Sequence, residues 1–155
     1  MVVSSIRFVS LLLTSLLVGA MFGIWLGFNP SVLTAMAYIE MQQNSIRALN
    51  TSLPALGLVC ILLTVALAAL SKNDKRGRYL LVAAALCLAV AGLVTRFGNQ
   101  PINAVVMTWR PDTPAANWVE LRDTWWHWHI LRTMAGVSAL TLALLAALGG
   151  QRGAA

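Results

Sequence analysis

The residues able to do chemistry gather in one stretch, where Trp118, Arg122, Trp125, His129 and Arg132 recur at three- and four-residue intervals. At about 100° per residue of α-helix these side chains share one face, and that face runs on into Gly136, Ala143 and Ala147. Small residues mark a helix surface that other helices approach closely, so the spacing predicts inward-facing indoles, guanidinium groups and imidazole. Glu120, Asp123 and His127 fall on the opposite face, which continues into Leu131, Met134, Leu142 and Leu145. The two histidines therefore diverge by about 200° and cannot chelate one metal on a regular helix. A metal held by Glu120, Asp123 and His127 is the alternative to a solvated ionic face, and the solvated face is the simpler reading. Arg132 lies inside an apolar run, where a lone cation is costly and usually serves a function. Snorkelling of the arginine and a belt role for the tryptophans are the plainer alternatives.

The elements that must position these groups are apolar. Of 155 residues, 59% are hydrophobic and 10% charged, against roughly a quarter charged in a soluble domain. Apolar blocks over residues 8–28, 54–70, 79–95 and 130–149 approach the length that spans a hydrocarbon core of about 30 Å at about 1.5 Å per residue, and only helices satisfy their backbones there. The expected fold is all-α: an integral membrane four-helix bundle forming a single domain over 1–155, with extracytoplasmic helical extensions. Lys72, Lys75, Arg76 and Arg78 crowd the second connection, and Arg7 and Arg152 flank the ends, which places both termini in the cytoplasm of a cell-membrane protein. That topology signal accounts for the net charge of +6 without nucleic acid as a partner. Val18-Gly19-Ala20 offers small residues to a signal peptidase, but the apolar run continues through Phe28 and argues for a retained helix. Cys60 and Cys87 stand alone in apolar blocks and read as buried small hydrophobes.

Ser15, Gly19, Gly23 and Gly27 form a stripe of small residues on the first helix, read as a seam within the bundle, with a homodimer seam or a wall beside a planar ligand as alternatives. Ala135, Ala139, Ala143 and Ala147 form a similar stripe on the fourth. The outer connections hold Glu40, Asp112, Glu120 and Asp123. In the first, Asn29-Pro30 ends a helix and residues 31–50 read as another, with Glu40, Gln43, Asn44 and Arg47 on one stripe that is either a solvated face or a polar lid. In the second, Gly98 and Pro101 are expected to break the third helix and to leave Asn99 and Asn103 at the membrane surface. Thr113 and Pro114 read as the cap and first position of a helix running unbroken through residue 148.

Asn99-Gln100-Pro101-Ile102-Asn103, then Trp118, then Trp125-x-x-x-His129-x-x-Arg132 resembles a family of small four-helix membrane proteins that includes the anthrone oxygenases. The likeness extends over nearly the whole chain in length and helix layout. It implies oxidation of a reduced polycyclic phenol by molecular oxygen, with no cofactor. On that view Trp118, Arg122, Trp125 and Asn99 wall a pocket for an aromatic small molecule at the outer membrane face, beneath a helix holding Glu40 and Gln43. His129 is the expected base, and Arg132 and Asn103 stabilise the developing oxyanion. A non-catalytic membrane protein binding a lipid, a quinone or a partner protein through the same pocket is the alternative. A haem protein would need a second inward histidine, which the helix phase does not supply.

Overall fold

The computed structural model describes residues 2–149. Its helices are α1 (Val2–Gly27), α2 (Ala35–Leu49), α3 (Ser52–Leu70), α4 (Lys75–Val94), α5 (Gln100–Val106) and α6 (Trp118–Gly149), with a π turn over Thr95–Asn99 joining α4 to α5. Four rods are long and apolar enough to cross a membrane: α1, α3, the continuous α4–π–α5 helix and α6. Only 22% to 28% of the most apolar stretch of each is buried. Phe8, Leu16, Leu62, Leu86 and Leu145 therefore face outward. Water would penalise that surface by about 25 cal/mol per Å², whereas lipid does not. The chain is a multi-pass membrane protein.

α1, α3, α4 and α6 close a ring in which each packs on its neighbours, and α2 lies across one end of it. Leu17, Val18 and Met21 of α1 meet Cys60, Leu88 and Ala139 at mid-bundle. On α6 the inward residues Gly136, Ala139, Ala143 and Ala146 are all small, which lets helix backbones approach where no hydrophobic force drives helices together. A Cβ added to Gly136 would stand 2.6 Å from the terminal methyl of Met21.

Local chemistry sets the turns. Asn29 Oδ1 accepts from the Ser31 amide at 3.1 Å and starts the short 3-10 turn Pro30–Val32. Thr34 Oγ1 accepts from the Ala37 amide at 3.4 Å and opens α2, and Asp74 Oδ1 accepts from the Gly77 amide at 2.8 Å and opens α4. These are side-chain caps that satisfy otherwise orphaned N–H groups. The end bearing α2 is tied down from within: Gln43 Nε2 donates to the carbonyls of Val106 at 3.0 Å and Trp109 at 2.9 Å.

Four expectations need correction. Ser15, Gly19, Gly23 and Gly27 are all exposed, and a Cβ at any of these glycines would meet nothing within 4 Å, so the stripe is not a seam within this bundle. Among the stripe on α6, Ala135 is exposed while Ala139 and Ala143 are buried. The third helix does not stop at Gly98 and Pro101 but winds through them. Pro101 sits in the first turn of α5, where its missing N–H is tolerated, and Gly98 admits the Trp128 indole against its backbone. Finally, α6 begins at Trp118 rather than 114, after a bridged turn between Arg110 and Thr113 and a second turn in which the Trp118 amide donates to the Ala115 carbonyl.

The two close approaches should respond differently to one methyl group. At Gly98 the new Cβ would fall 2.7 Å from the Trp128 Cγ and Cδ2 atoms, at the stiff root of the indole, whereas at Gly136 it meets the free end of Met21. Gly98→Ala is expected to cost about 1–3 kcal/mol by overpacking and Gly136→Ala distinctly less, as read by thermal unfolding in detergent.

Candidate functional site

α6 carries the site because its inward stripe changes character along its length. It is small in the membrane and large and polar toward the α2 end, where Arg122, Trp125, His129, Arg132 and Thr133 are buried. His129 is fully enclosed, and Arg132 is only 9% exposed. Arg132 directs Nε at 3.1 Å and one terminal nitrogen at 2.9 Å toward His129 Nδ1. A guanidinium has donors only, so Nδ1 is the acceptor and the ring proton sits on Nε2, 3.1 Å from the Met21 carbonyl that receives it. The imidazole is thus a neutral relay between a backbone carbonyl of α1 and the guanidinium. Its faces are closed by the indoles of Trp125 and Trp126, with centroids 5.2 Å and 5.5 Å away. Trp125 also lies 5.8 Å beneath the Arg132 guanidinium carbon.

No carboxylate pairs with Arg132 among the described residues, where the ion pairs are Arg110–Asp112 and Arg122–Asp123. Its other terminal nitrogen reaches Thr95 Oγ1 at 3.5 Å, and the residue lines a cavity of about 190 Å³. That cavity is walled by Phe28, Ile46, Leu53 and Trp125 and dotted with the polar groups of Gln42, Asn50 and Asn103. Asn103 is the hub of the polar set. Its Oδ1 accepts from Trp125 Nε1 at 2.8 Å and from Gln42 Nε2 at 3.3 Å, and its Nδ2 donates to Asn50 Oδ1 at 2.8 Å. Both acceptor positions of the amide are then filled and one N–H remains free.

The π turn makes this alignment possible. Ala91, Thr95, Asn99 and Asn103 follow one another at four-residue intervals and all turn inward. A regular α-helix drifts by about 40° over each such interval, and the wider π turn takes up the drift. Asn99 donates its amide to the Trp125 carbonyl at 3.0 Å, so it braces α6 instead of lining the cavity.

The sequence-predicted residues therefore separate. Arg132, Asn103 and Trp125 border the cavity, and His129 stands behind Arg132 with both ring nitrogens engaged. Trp118 and Arg122 form a second cluster, with the Arg122 guanidinium 5.0 Å over the Trp118 ring, Arg122 Nε 2.8 Å from Asp123, and the Tyr38 ring tilted at 35° against Trp118 with centroids 6.1 Å apart. Glu40 points to solvent, and Gln43 is spent on the α5 carbonyls. The α2 glutamine that does reach the cavity is Gln42, in the row Tyr38, Ile39, Gln42, Ile46, Leu49, whose three- and four-residue apolar spacing was the available signal. Among the described residues no three His, Cys, Asp or Glu side chains converge on a point that would hold a metal.

This fold and site define a class: a multi-pass helical membrane protein with an unpaired arginine at the floor of a largely apolar cavity near one membrane face. Within it the chain belongs to the anthrone oxygenase family, whose model matches residues 43–142, more than half of the 155. The matched stretch holds Asn50, Asn99, Asn103, Trp125, His129 and Arg132, while Met21, which fixes the imidazole, lies outside it. No curated protein and no solved structure matches the chain significantly.

Two outcomes follow from this geometry. Removing the acceptor strands a buried cation, so His129→Ala should lower stability by about 3 kcal/mol, whereas Arg132→Met removes the charge itself and should cost less; thermal unfolding of both variants in detergent distinguishes them. Burial pushes the Tyr38 phenol well above its ordinary value, with Arg122 opposing and Asp123 adding to that shift, and its hydroxyl has no hydrogen-bond partner among the described residues. A raised folded-state value contributes stability that is complete below about pH 10 and is lost as pH climbs from there. Tyr38→Phe should flatten that alkaline loss and add about 1 kcal/mol at neutral pH, as unfolding measured across pH will report.

Proposed function

We propose that this chain oxidises an anthrone-type aromatic phenol with molecular oxygen, using no resident cofactor, in the cavity floored by Arg132. The observation that carries this reading is a buried guanidinium with no carboxylate partner among the described residues, held at fixed orientation by a neutral imidazole. Such a group keeps its full charge for an incoming anion, and in a low-dielectric site that interaction is strong. The family to which the chain belongs supplies the substrate class.

The substrate loses a proton to solvent at the cavity mouth and binds as its enolate, with oxygen against Arg132 and the free N–H of Asn103. Phe28 and Trp125 flank the rings, and Gln42 covers them. The electron-rich ring carbon gives two electrons to oxygen and forms a carbon–oxygen bond. The peroxide anion so formed takes a proton back from solvent, and the hydroperoxide loses water: one oxygen atom stays as a new ring carbonyl, and the other leaves in water with that proton and the second hydrogen of the ring carbon. In this scheme His129 is a positioning residue, since both nitrogens are engaged, rather than the base that its type suggests. The positively charged loop of Lys72, Lys75, Arg76 and Arg78 lies at the end opposite the site. By the positive-inside rule the site then faces outward from the cell membrane and both termini are cytoplasmic.

Oxygen uptake by the full chain in lipid nanodiscs with 1,8-dihydroxyanthrone, against empty nanodiscs, tests the reading. Arg132→Met is expected to cut kcat/KM by about 100-fold, the order of one lost oxyanion donor, while its unfolding transition persists. Saturable binding of the anthrone without any uptake above the empty discs would replace the enzyme with a binding protein.

A further inference from the structure

A second cavity of about 230 Å³ meets the first at Arg132. The two share Leu53, Pro54, Thr95 and Arg132 as walls, yet differ in depth and polarity. The first lies under α2 and carries the amide groups of Gln42, Asn50 and Asn103. The second descends between α1, α3 and α4 past Leu17, Ile61 and Leu88, and its polar groups, Arg96 and Gln100 besides Thr95 and Arg132, sit only at the top. Along α4, Leu88 lies about 10 Å below Thr95 at about 1.5 Å per residue. The cavity also opens sideways. Leu58, 57% exposed, and the exposed Gly92 stand on its rim, and a Cβ on Gly92 would meet nothing within 4 Å.

Resting on the oxygenase reading of the first cavity, we propose that the second is a subsite for an apolar arm of the same substrate, an alkyl or isoprenoid chain attached to the ring beside the oxygen that Arg132 holds. The charge pattern selects this occupant. Arg132 and Arg96 are cations at the top with no paired acid among the described residues, so the anionic oxygen belongs there, and everything deeper is apolar. Because the walls that the cavities share are Arg132, Thr95, Leu53 and Pro54, one molecule fills both only if its arm leaves the ring next to that oxygen. The side opening between α3 and α4 lets such an arm come directly from the bilayer. Discrimination is steric in origin, since moving a chain from lipid into an apolar slot gains little by itself.

The test compares two unreactive ligands of equal lipid solubility, 1-hydroxyanthraquinone carrying a nonyl chain at ring position 2 or at ring position 7. Binding to the full chain in nanodiscs is followed by the visible absorption of the quinone, with empty discs subtracted. The 2-nonyl isomer is expected to bind about tenfold more tightly or better. Gly92→Leu has room for its Cβ and fills the slot; Gly57→Leu, whose Cβ would lie 3.8 Å from Leu17, is the second variant. Either should erase the preference and leave binding of unsubstituted 1-hydroxyanthraquinone unchanged. Equal binding of the two isomers, no binding of either, survival of the preference in both variants, or a bound phospholipid that the 2-nonyl isomer fails to displace in native mass spectrometry would overturn the subsite. Turnover of the anthrone without isomer preference rejects the subsite alone; isomer preference without turnover rejects the oxygenase alone.

Discussion

A guanidinium held within a membrane bundle without a carboxylate governs the arrangement around it. Carrying a charge into low dielectric costs several kcal/mol even after relaxation, and an ion pair would cancel the field that makes the charge useful. The bundle meets the cost with polarity rather than opposite charge: an imidazole lone pair, the Thr95 hydroxyl and the face of an indole. Each has its own support. The imidazole is oriented by the Met21 carbonyl, which ties the site to α1, and Trp125 by Asn103, which ties it to α5 and through Gln42 and Asn50 to α2 and its exit. The groups around the cavity form one connected network anchored on the Arg132 cation, and networks of this kind hold a defined geometry.

Helix packing below the network has a complementary task. The membrane-embedded part of α6 is lined with glycine and alanine, so α1 can come close enough for the Met21 carbonyl to reach the His129 ring. A larger residue at Gly136 would press on Met21 itself. The small residues therefore act on the chemistry at one remove, by setting the distance between two backbones.

Much of this was legible beforehand, and the reason is periodicity. On α6 the small residues of the membrane half fixed the inward phase, and extending that phase by 3.6 residues per turn placed Trp125, His129 and Arg132 inside and Glu120 and His127 outside, as they are. The four spans followed from length and composition alone. What escaped has physical causes. Gln42 was missed because it is a polar member of an otherwise apolar row, so only the spacing of Tyr38, Ile39, Ile46 and Leu49 around it announces the face. Gly98 and Pro101 read as breakers because the rule for them assumes that a helix stays α, and a π turn relaxes it. The outward glycines of α1 show the converse: four-residue spacing states that a neighbour could approach, but not that one does. The engagement of both His129 nitrogens depends on a carbonyl far away in sequence, which residue type alone cannot reveal.

The π turn also bears on how this chain tolerates change in length. Winding Thr95–Asn99 as ordinary α-helix with no residue removed would leave everything from Lys75 to Val94 where it is, yet swing the later residues by about 100°. Asn103 would leave its position between Trp125 and Asn50, with no residue of the lipid-facing half altered. Alignments that treat Lys75–Val106 as a single uniform rod will misassign every face beyond Thr95, whereas a descendant one residue shorter there can wind as plain α-helix and keep both the anchor and the cavity.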